Sequence, residues 1–170
     1  MSDKMREILV DKVVLNIGAG TEIANVEKAV LLLNRISGTK AVKTISQKRI
    51  PVWKVRPGLP VGARVTIRGK KAQELLKGLL TAVDFAIPKR SFTENGFSFG
   101  VKEYVDIPGA KYDPKIGIIG LDVIVALKRR GYRIARRKIK KASIGSSHRI
   151  KAEEAHEWAK SLGVKDREEE

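Results

Sequence analysis

Three groups of side chains in this chain fall at intervals that suggest a reaction or a binding site. The segment NIGAGTEIAN, Asn16 to Asn25, lies between an alternating apolar run and a helical one, where a dinucleotide fingerprint places its glycines. That fingerprint needs three glycines; Gly18 and Gly20 supply two, and Ile23 stands at the third position. A tight strand-to-helix turn is the simpler account. Gly69-Lys70 begins no phosphate loop, because Lys71 follows where Ser or Thr is required. The second group is the histidine pair, His148 and His156. Eight residues apart, they make neither a helical nor a strand pair of metal ligands, so no metal or other cofactor is expected. The third group is Arg64, Thr66 and Arg68 in GARVTIR, where period-two alternation sets two cations and a hydroxyl in a row on one side of a strand. Cations suit phosphates, and Thr or Asn groups suit ribose hydroxyls. Outward Arg and Thr are also common on any half-exposed strand. No nucleophile–base constellation is visible, and no enzyme is expected.

Those side chains need elements to hold them. Asp11 to Ile17 reads as a strand with Val13, Leu15 and Ile17 on one face and Lys12, Val14 and Asn16 on the other. A helix is predicted from about Val26 to Ser37, with Asn25 as N-cap, Gly38 as its stop, and Val26, Ala29, Val30, Leu33 and Ile36 as its apolar stripe. Thr39 to Leu59 lacks periodicity and reads as an irregular strand pair with a projecting loop. GARVTIR then forms a strand, with Ala63, Val65 and Ile67 opposite the polar row. A second amphipathic helix is expected over Lys70 to Asp84, and further strands near Phe97–Val105 and Leu121–Leu127, around a connection from Ile107 to Gly117. This order predicts an α+β fold: a two-layer sandwich of mostly antiparallel sheet with helices on one face. Residues 1–127 form the domain, and 128–170 a basic extension with a short helix, Ala152 to Leu162, docking through Ala155, Trp158, Ala159 and Leu162. Tyr132, Ile134, Ile139 and Ile144 are the extension's expected anchors, and His156 is expected to lie exposed.

Charge says what the polar face is for. The 170 residues carry 35 bases and 19 acids, a net +16. The excess is confined to two stretches: residues 28–73 hold 12 bases and residues 123–152 hold 11, neither with a single acid. The remaining 94 residues hold 12 bases against 19 acids. A merely solvated face mixes both signs, so the segregation points to a polyanionic partner. Trp53 lies in the first stretch, in QKRIPVWKVRPG between Lys48, Arg49, Lys54 and Arg56, where it could stack on an unpaired base or anchor the loop. The hydrophobic fraction of 42% excludes general disorder, and the absence of cysteine excludes a disulfide framework. No apolar run is long enough to span a bilayer, and MSDKMREIL lacks the core of a signal peptide, so a soluble intracellular protein with no membrane partner is expected.

The blocks KVVLNIGAG, KVRPGLPVGARVTIRG and ENGFSFGVKEYVDIPGAKYD…GLDVIV resemble, in order and spacing, the universal family of large-ribosomal-subunit protein five, which binds 5S rRNA. The likeness runs from about Lys12 to Leu127, and RRGYRIARRKIKKASIGSSHRI followed by EEA resembles archaeal and eukaryotic members. The resemblance implies a non-catalytic protein of the cytoplasmic ribosome. Asn16, Trp53 and Thr66 match positions that contact 5S rRNA, which favours stacking for Trp53. The full set assigned to that RNA is Lys12, Asn16, Thr39, Lys43, Trp53, Lys54, Arg56, Arg64, Thr66 and Arg68. Thr39 stands where relatives often carry Gln, and FAIPKRSF keeps Lys89 and Arg90 without the family's usual pattern. Gln47, Lys48, Arg49, Ile50, Pro51 and Val52 match a loop that reaches P-site tRNA. Contacts to 23S rRNA, and a bridge to small-subunit ribosomal protein thirteen, are implied as well. The extension's rRNA-facing residues are expected to be Arg129, Arg130, Arg133, Arg136, Arg137, Lys138, Lys140, Lys141, His148 and Arg149. Rival expectations are a free-standing RNA or DNA chaperone, which would bind many sequences alike, and a dinucleotide-dependent enzyme.

Overall fold

The computed structural model describes residues 4–166. Strand β1 (Ile8–Gly18) leads through the Gly-Ala-Gly turn into helix α1 (Ile23–Ser37), then to β2 (Val42–Ile45) and β3 (Pro60–Ile67). Helix α2 (Lys70–Thr81), β4 (Ala86–Ile87), β5 (Phe92–Thr93), β6 (Gly96–Val101) and β7 (Leu121–Arg129) follow, and α3 (Ala152–Ser161) and β8 (Lys165–Asp166) come last. Six strands form one sheet in the order β2-β3-β1-β7-β6-β5, and every neighbouring pair is antiparallel. β4 and β8 form a separate parallel pair of two residues each. The α+β sandwich expected from element order is the fold observed.

Alternation makes the sheet two-sided. Val13, Leu15 and Ile17 of β1, Ala63, Val65 and Ile67 of β3, and Leu121, Val123, Val125 and Leu127 of β7 are all buried. Helix α1 covers this face with Val26, Ala29, Leu32 and Leu33, and α2 with Ala72, Leu76, Leu79 and Leu80. Each large apolar side chain so buried contributes about 1.5–3 kcal/mol, which holds the layers together. Gly38 ends α1 in the left-handed region, its N–H donating to the Asn34 carbonyl, as a helix-stopping glycine should.

Several boundaries differ from the sequence reading. α1 starts at Ile23, and Asn25 lies inside it, its amide donating to Glu22 rather than capping the helix. α2 ends at Thr81 because Asp84 and Phe85 take left-handed conformations and the Phe85 N–H returns to the Leu80 carbonyl. β6 stops at Val101; Tyr104 to Asp106 is a 3-10 turn whose buried Tyr104 hydroxyl accepts from the Asp113 N–H and pins the connection. β1 begins three residues earlier than expected and contains a bulge, since Val10 pairs with Leu127 and Lys12 with Ala126, leaving Asp11 as the extra residue.

The basic extension packs onto the same core. Tyr132, Ile150, Ala155, Ala159 and Val164 are buried in it, and Trp158 packs against Phe97. The Tyr132 hydroxyl donates to Asn95 and accepts from the Ile150 N–H, tying the extension to the β5–β6 turn. Ile139 is not an anchor: Arg137 donates to the Lys140 carbonyl, the segment folds back on itself, and Ile139 is left 77% exposed. His156 is likewise not free on the surface. Its ring meets Phe92 edge-on and hydrogen-bonds Asp166, which holds β8 beside α3.

A close backbone approach lies between β1 and β3. A Cβ on Gly62 would fall 2.4 Å from the Ile17 carbonyl oxygen and 3.0 Å from Thr44 Oγ1. Gly62→Ala should therefore force the two strands apart and cost about 1–3 kcal/mol. A denaturant midpoint unchanged from the parent would contradict this.

Candidate nucleic-acid interface

The side of the sheet away from the helices is open, and the strand register arranges its residues in rows. Asn16 of β1 stands opposite Arg64 of β3 on one side and Asp122 of β7 on the other; Arg64 in turn faces Val42 of β2, and Asp122 faces Gly100 of β6. The next row runs Thr66, Val14, Ile124, Ser98. Lys12 follows beside Ala126 and Gly96. Arg64, Thr66 and Arg68 are exposed, and Lys12 and Asn16 half-buried. Among the described residues neither Arg64, Arg68 nor Lys12 pairs with a carboxylate, so their positive potential faces outward unscreened. Val42 and Ile124 give the face exposed apolar ground, at 59% and 40% exposure.

At one end of this face the β2–β3 hairpin projects. Backbone bonds from Ser46 to Leu59 and a reciprocal pair between Ile50 and Val55 extend it well past the strands. Its tip is the 3-10 turn Pro51–Trp53, closed by Lys54 in the left-handed region. Gln47, Lys48, Arg49, Pro51 and Val52 are exposed there, and only Ile50 is half-buried. Trp53 is 68% exposed; it does not anchor the loop in the core. It borders a hollow of about 530 Å³ between the hairpin and the Gly-Ala-Gly turn, lined also by Gly20, Thr21, Ile50 and Val61. Lys54 and Arg56 are exposed beside it. A flat indole next to cations and an open hollow can hold an unpaired base by stacking.

Two expected contact residues lie off this surface. Lys43 has the parity of buried Ala63, its register partner, and so sits at the helix-covered side, where it pairs with Glu27 of α1 at 3.5 Å. Thr39 is half-buried after α1, its hydroxyl and N–H both donating to Ser37 Oγ. In the extension, acids take up several cations that the sequence reading assigned to rRNA. Arg129 is buried and pairs with Glu154 at 2.8 Å. Arg130 pairs with Glu7, and Arg136 reaches both oxygens of buried Asp11, at 3.1 and 2.7 Å, while Lys128 approaches the same carboxylate at 3.1 Å. His148 spends its Nε2 on the Arg130 carbonyl. Arg133, Lys138, Lys140, Lys141 and Arg149 are exposed, and no ion pair joins them to a described residue.

Asp11 is the residue the sequence reading missed. The hydrogen bond from Arg136 holds its carboxyl below the ordinary value of 3.8 against the opposing effect of burial. An acid inside an apolar strand, followed far downstream by an arginine-rich run, was the available signal. The bulge that turns it toward those arginines was not.

The dinucleotide fingerprint finds no support in this geometry. Such a site needs β1 and the strand after α1 to lie side by side and parallel in one βαβ unit. Here β3 lies between β1 and β2, antiparallel to both, so the two strands are not adjacent.

The family described as Ribosomal protein L5 matches residues 3–56, and the model of the ribosomal L5 family C-terminus matches residues 60–160. The chain is 51% identical over 166 residues to the large ribosomal subunit protein uL5 of Nanoarchaeum equitans, covering 96% of this chain and 98% of that one. The chain belongs to the ribosomal protein L5 family. It is also 45% identical to the uL5 protein of Archaeoglobus fulgidus over 94% of this chain and 90% of that one, and 46% identical to that of Cenarchaeum symbiosum over 96% and 98%. These relatives make it an archaeal-type L5 member. The family consists of structural ribosomal proteins and not of enzymes. No helix among the described residues is long and apolar enough to cross a membrane.

The ion triad carries a pH prediction. Because the folded carboxyl of Asp11 titrates below its ordinary value, its contribution is complete at neutral pH and is lost as the pH falls below about 4 through that lowered value. Asp11→Asn should cost about 1–3 kcal/mol at pH 7, the partial exposure of Lys128 and Arg136 moderating the loss. The gap from the parent should narrow toward pH 3, measured by thermal melting. A gap that widens in acid would contradict the assignment.

Proposed function

We propose that this chain is a structural component of the large ribosomal subunit, where the open face of its sheet binds 5S rRNA and anchors it beside 23S rRNA. One observation carries the reading: Arg64 and Thr66 of β3, with Arg68 just past its end, stand exposed in a row, beside Asn16 and Lys12 of the next strand, on the face no helix covers. Cations without carboxylate partners attract phosphates, and the interleaved Thr and Asn groups suit ribose hydroxyls. The relatives' names place those proteins in the large subunit. On this reading Trp53 stacks on an unpaired base, flanked by Lys54 and Arg56. The projecting hairpin, with Lys48 and Arg49 near its tip, reaches P-site tRNA, and the protein takes part in a bridge to small-subunit protein thirteen. In the extension, Arg133, Lys138, Lys140, Lys141 and Arg149 are the cations that meet rRNA, while Arg129, Arg130 and Arg136 serve to hold the segment in place. The protein's location is then the cytoplasmic ribosome.

With about eight cations on phosphates, affinity for 5S rRNA should fall about 10³- to 10⁵-fold between about 50 and 200 mM salt, by filter binding or calorimetry. An affinity that hardly moves would sink the electrostatic part. Arg64→Ala should weaken 5S binding about tenfold and lower the salt slope by about one, and Thr66→Val should weaken it less. Both should melt within a few degrees of the parent. Equal affinity for 5S rRNA and an unrelated RNA would instead mark a general RNA chaperone.

A further inference from the structure

The open face holds one group that a purely phosphate-binding surface would not carry. Asp122 stands in the same row as Arg64 and Asn16, exposed, and makes no hydrogen bond or ion pair with any described residue. A carboxylate there repels phosphate, and a free carboxylate can only accept hydrogen bonds. Its neighbour on the far side is Gly100. Other glycines of the sheet are required by close backbone: a Cβ on Gly96 would fall 2.3 Å from the Val125 carbonyl oxygen, and one on Gly120 2.8 Å from that of Lys102. Gly100 is not so constrained. Its φ lies outside the left-handed region, and an added Cβ would meet only Asp122 Oδ1, at an ordinary 3.9 Å. The fold tolerates a side chain at this position, and its absence leaves the carboxylate approachable from above.

We propose that Asp122 and the bare backbone of Gly100 form an acceptor subsite that determines specificity, receiving an N–H or O–H donor of the bound RNA. The inference rests on the RNA-binding reading of this face. The donor is either the ribose 2′-hydroxyl or the donor edge of an unpaired base; both supply what a lone carboxylate lacks, and neither brings charge against it. Arg64 and Arg68 provide attraction common to any polyanion. Asp122 penalises every strand that arrives with phosphate instead of a donor, so the subsite works by difference. Asn16, between Arg64 and Asp122, supplies both a donor and acceptors and can accompany either partner.

The test compares the parent with Asp122→Asn and Gly100→Val, measuring affinity for 5S rRNA, for an unrelated RNA of equal length, and for DNA of the 5S sequence. Asp122→Asn should lose about tenfold of the parent's preference for 5S rRNA over the competitor that lacks the matching donor, either the unrelated RNA or the DNA. If the donor is a base edge, the gap between the two RNAs closes; if it is the 2′-hydroxyl, the gap between RNA and DNA closes. Gly100→Val should melt no lower than the parent and lose the same preference by blocking access. If Asp122→Asn shifts all three affinities by one common factor, the carboxylate is a mere repulsive charge and the proposal is overturned. Loss of preference only in a variant that melts well below the parent would also overturn it. Failure of the parent itself to prefer 5S rRNA would instead defeat the RNA-binding reading on which the subsite stands.

Discussion

Strand β1 is hydrogen-bonded along both edges, and its register sets the rest of the molecule. Pairing Val13, Leu15 and Ile17 against Ile67, Val65 and Ala63 on one side, and Val13 and Leu15 against Val125 and Val123 on the other, points every one of these side chains at the helices. A slip of one residue would carry the apolar set into water and the polar set into the core. Burial of the inner face therefore fixes what the outer face displays. Asn16 and Lys12 are presented because Leu15 and Val13 cannot be. The same constraint governs β3, where Val65 and Ile67 go in and Arg64 and Thr66 come out, with Arg68 continuing the row just past the strand's end.

The second organising device is electrostatic and lies at the other end of the chain. A segment as basic as residues 128–151 has little apolar surface with which to hold a fixed shape. The domain supplies carboxylates instead. Asp11 in the β1 bulge takes Lys128 and Arg136, Glu7 takes Arg130, and Glu154 of α3 takes Arg129. Tyr132 and Ile150 add a small buried anchor between these pairs. The extension's cations thus divide into those that fasten it and those, such as Lys138 and Lys141, that remain available to a polyanion. The open sheet face, with Asp122 among its cations, divides labour in a comparable way, between groups that attract and a group that discriminates.

Much of this was legible in the order of residues alone. Period-two alternation in KVVLNIG and GARVTIR marked both two-faced strands, and the acid-free stretches marked where positive charge is concentrated. Gly38 and Gly163 marked helix ends, and both adopt positive φ. Errors fell where local pattern was overruled by distant contact. Lys43 reads as one more base in a basic stretch, yet its register partner is buried Ala63 and its side chain meets Glu27. His156 reads as an exposed helix residue until β8 returns to place Asp166 against it. Arg129 reads as the start of an RNA-facing run, but it continues β7, and the inward parity of Leu127 carries it into the interior.

Strand alternation, the glycines that follow α1 and α3, the segregation of charge and the family likeness can all be read along the chain, because they depend on neighbours a few positions away. Which polar residues share a surface depends on packing. Arg64, Asn16, Asp122 and Gly100 come from four strands spread over more than a hundred positions, and register alone brings them into one row. Packing also decided which cations are free, since a salt bridge such as Arg136 to Asp11 joins residues 125 positions apart. Pairing of that kind arises from packing the whole chain, and no local periodicity encodes it.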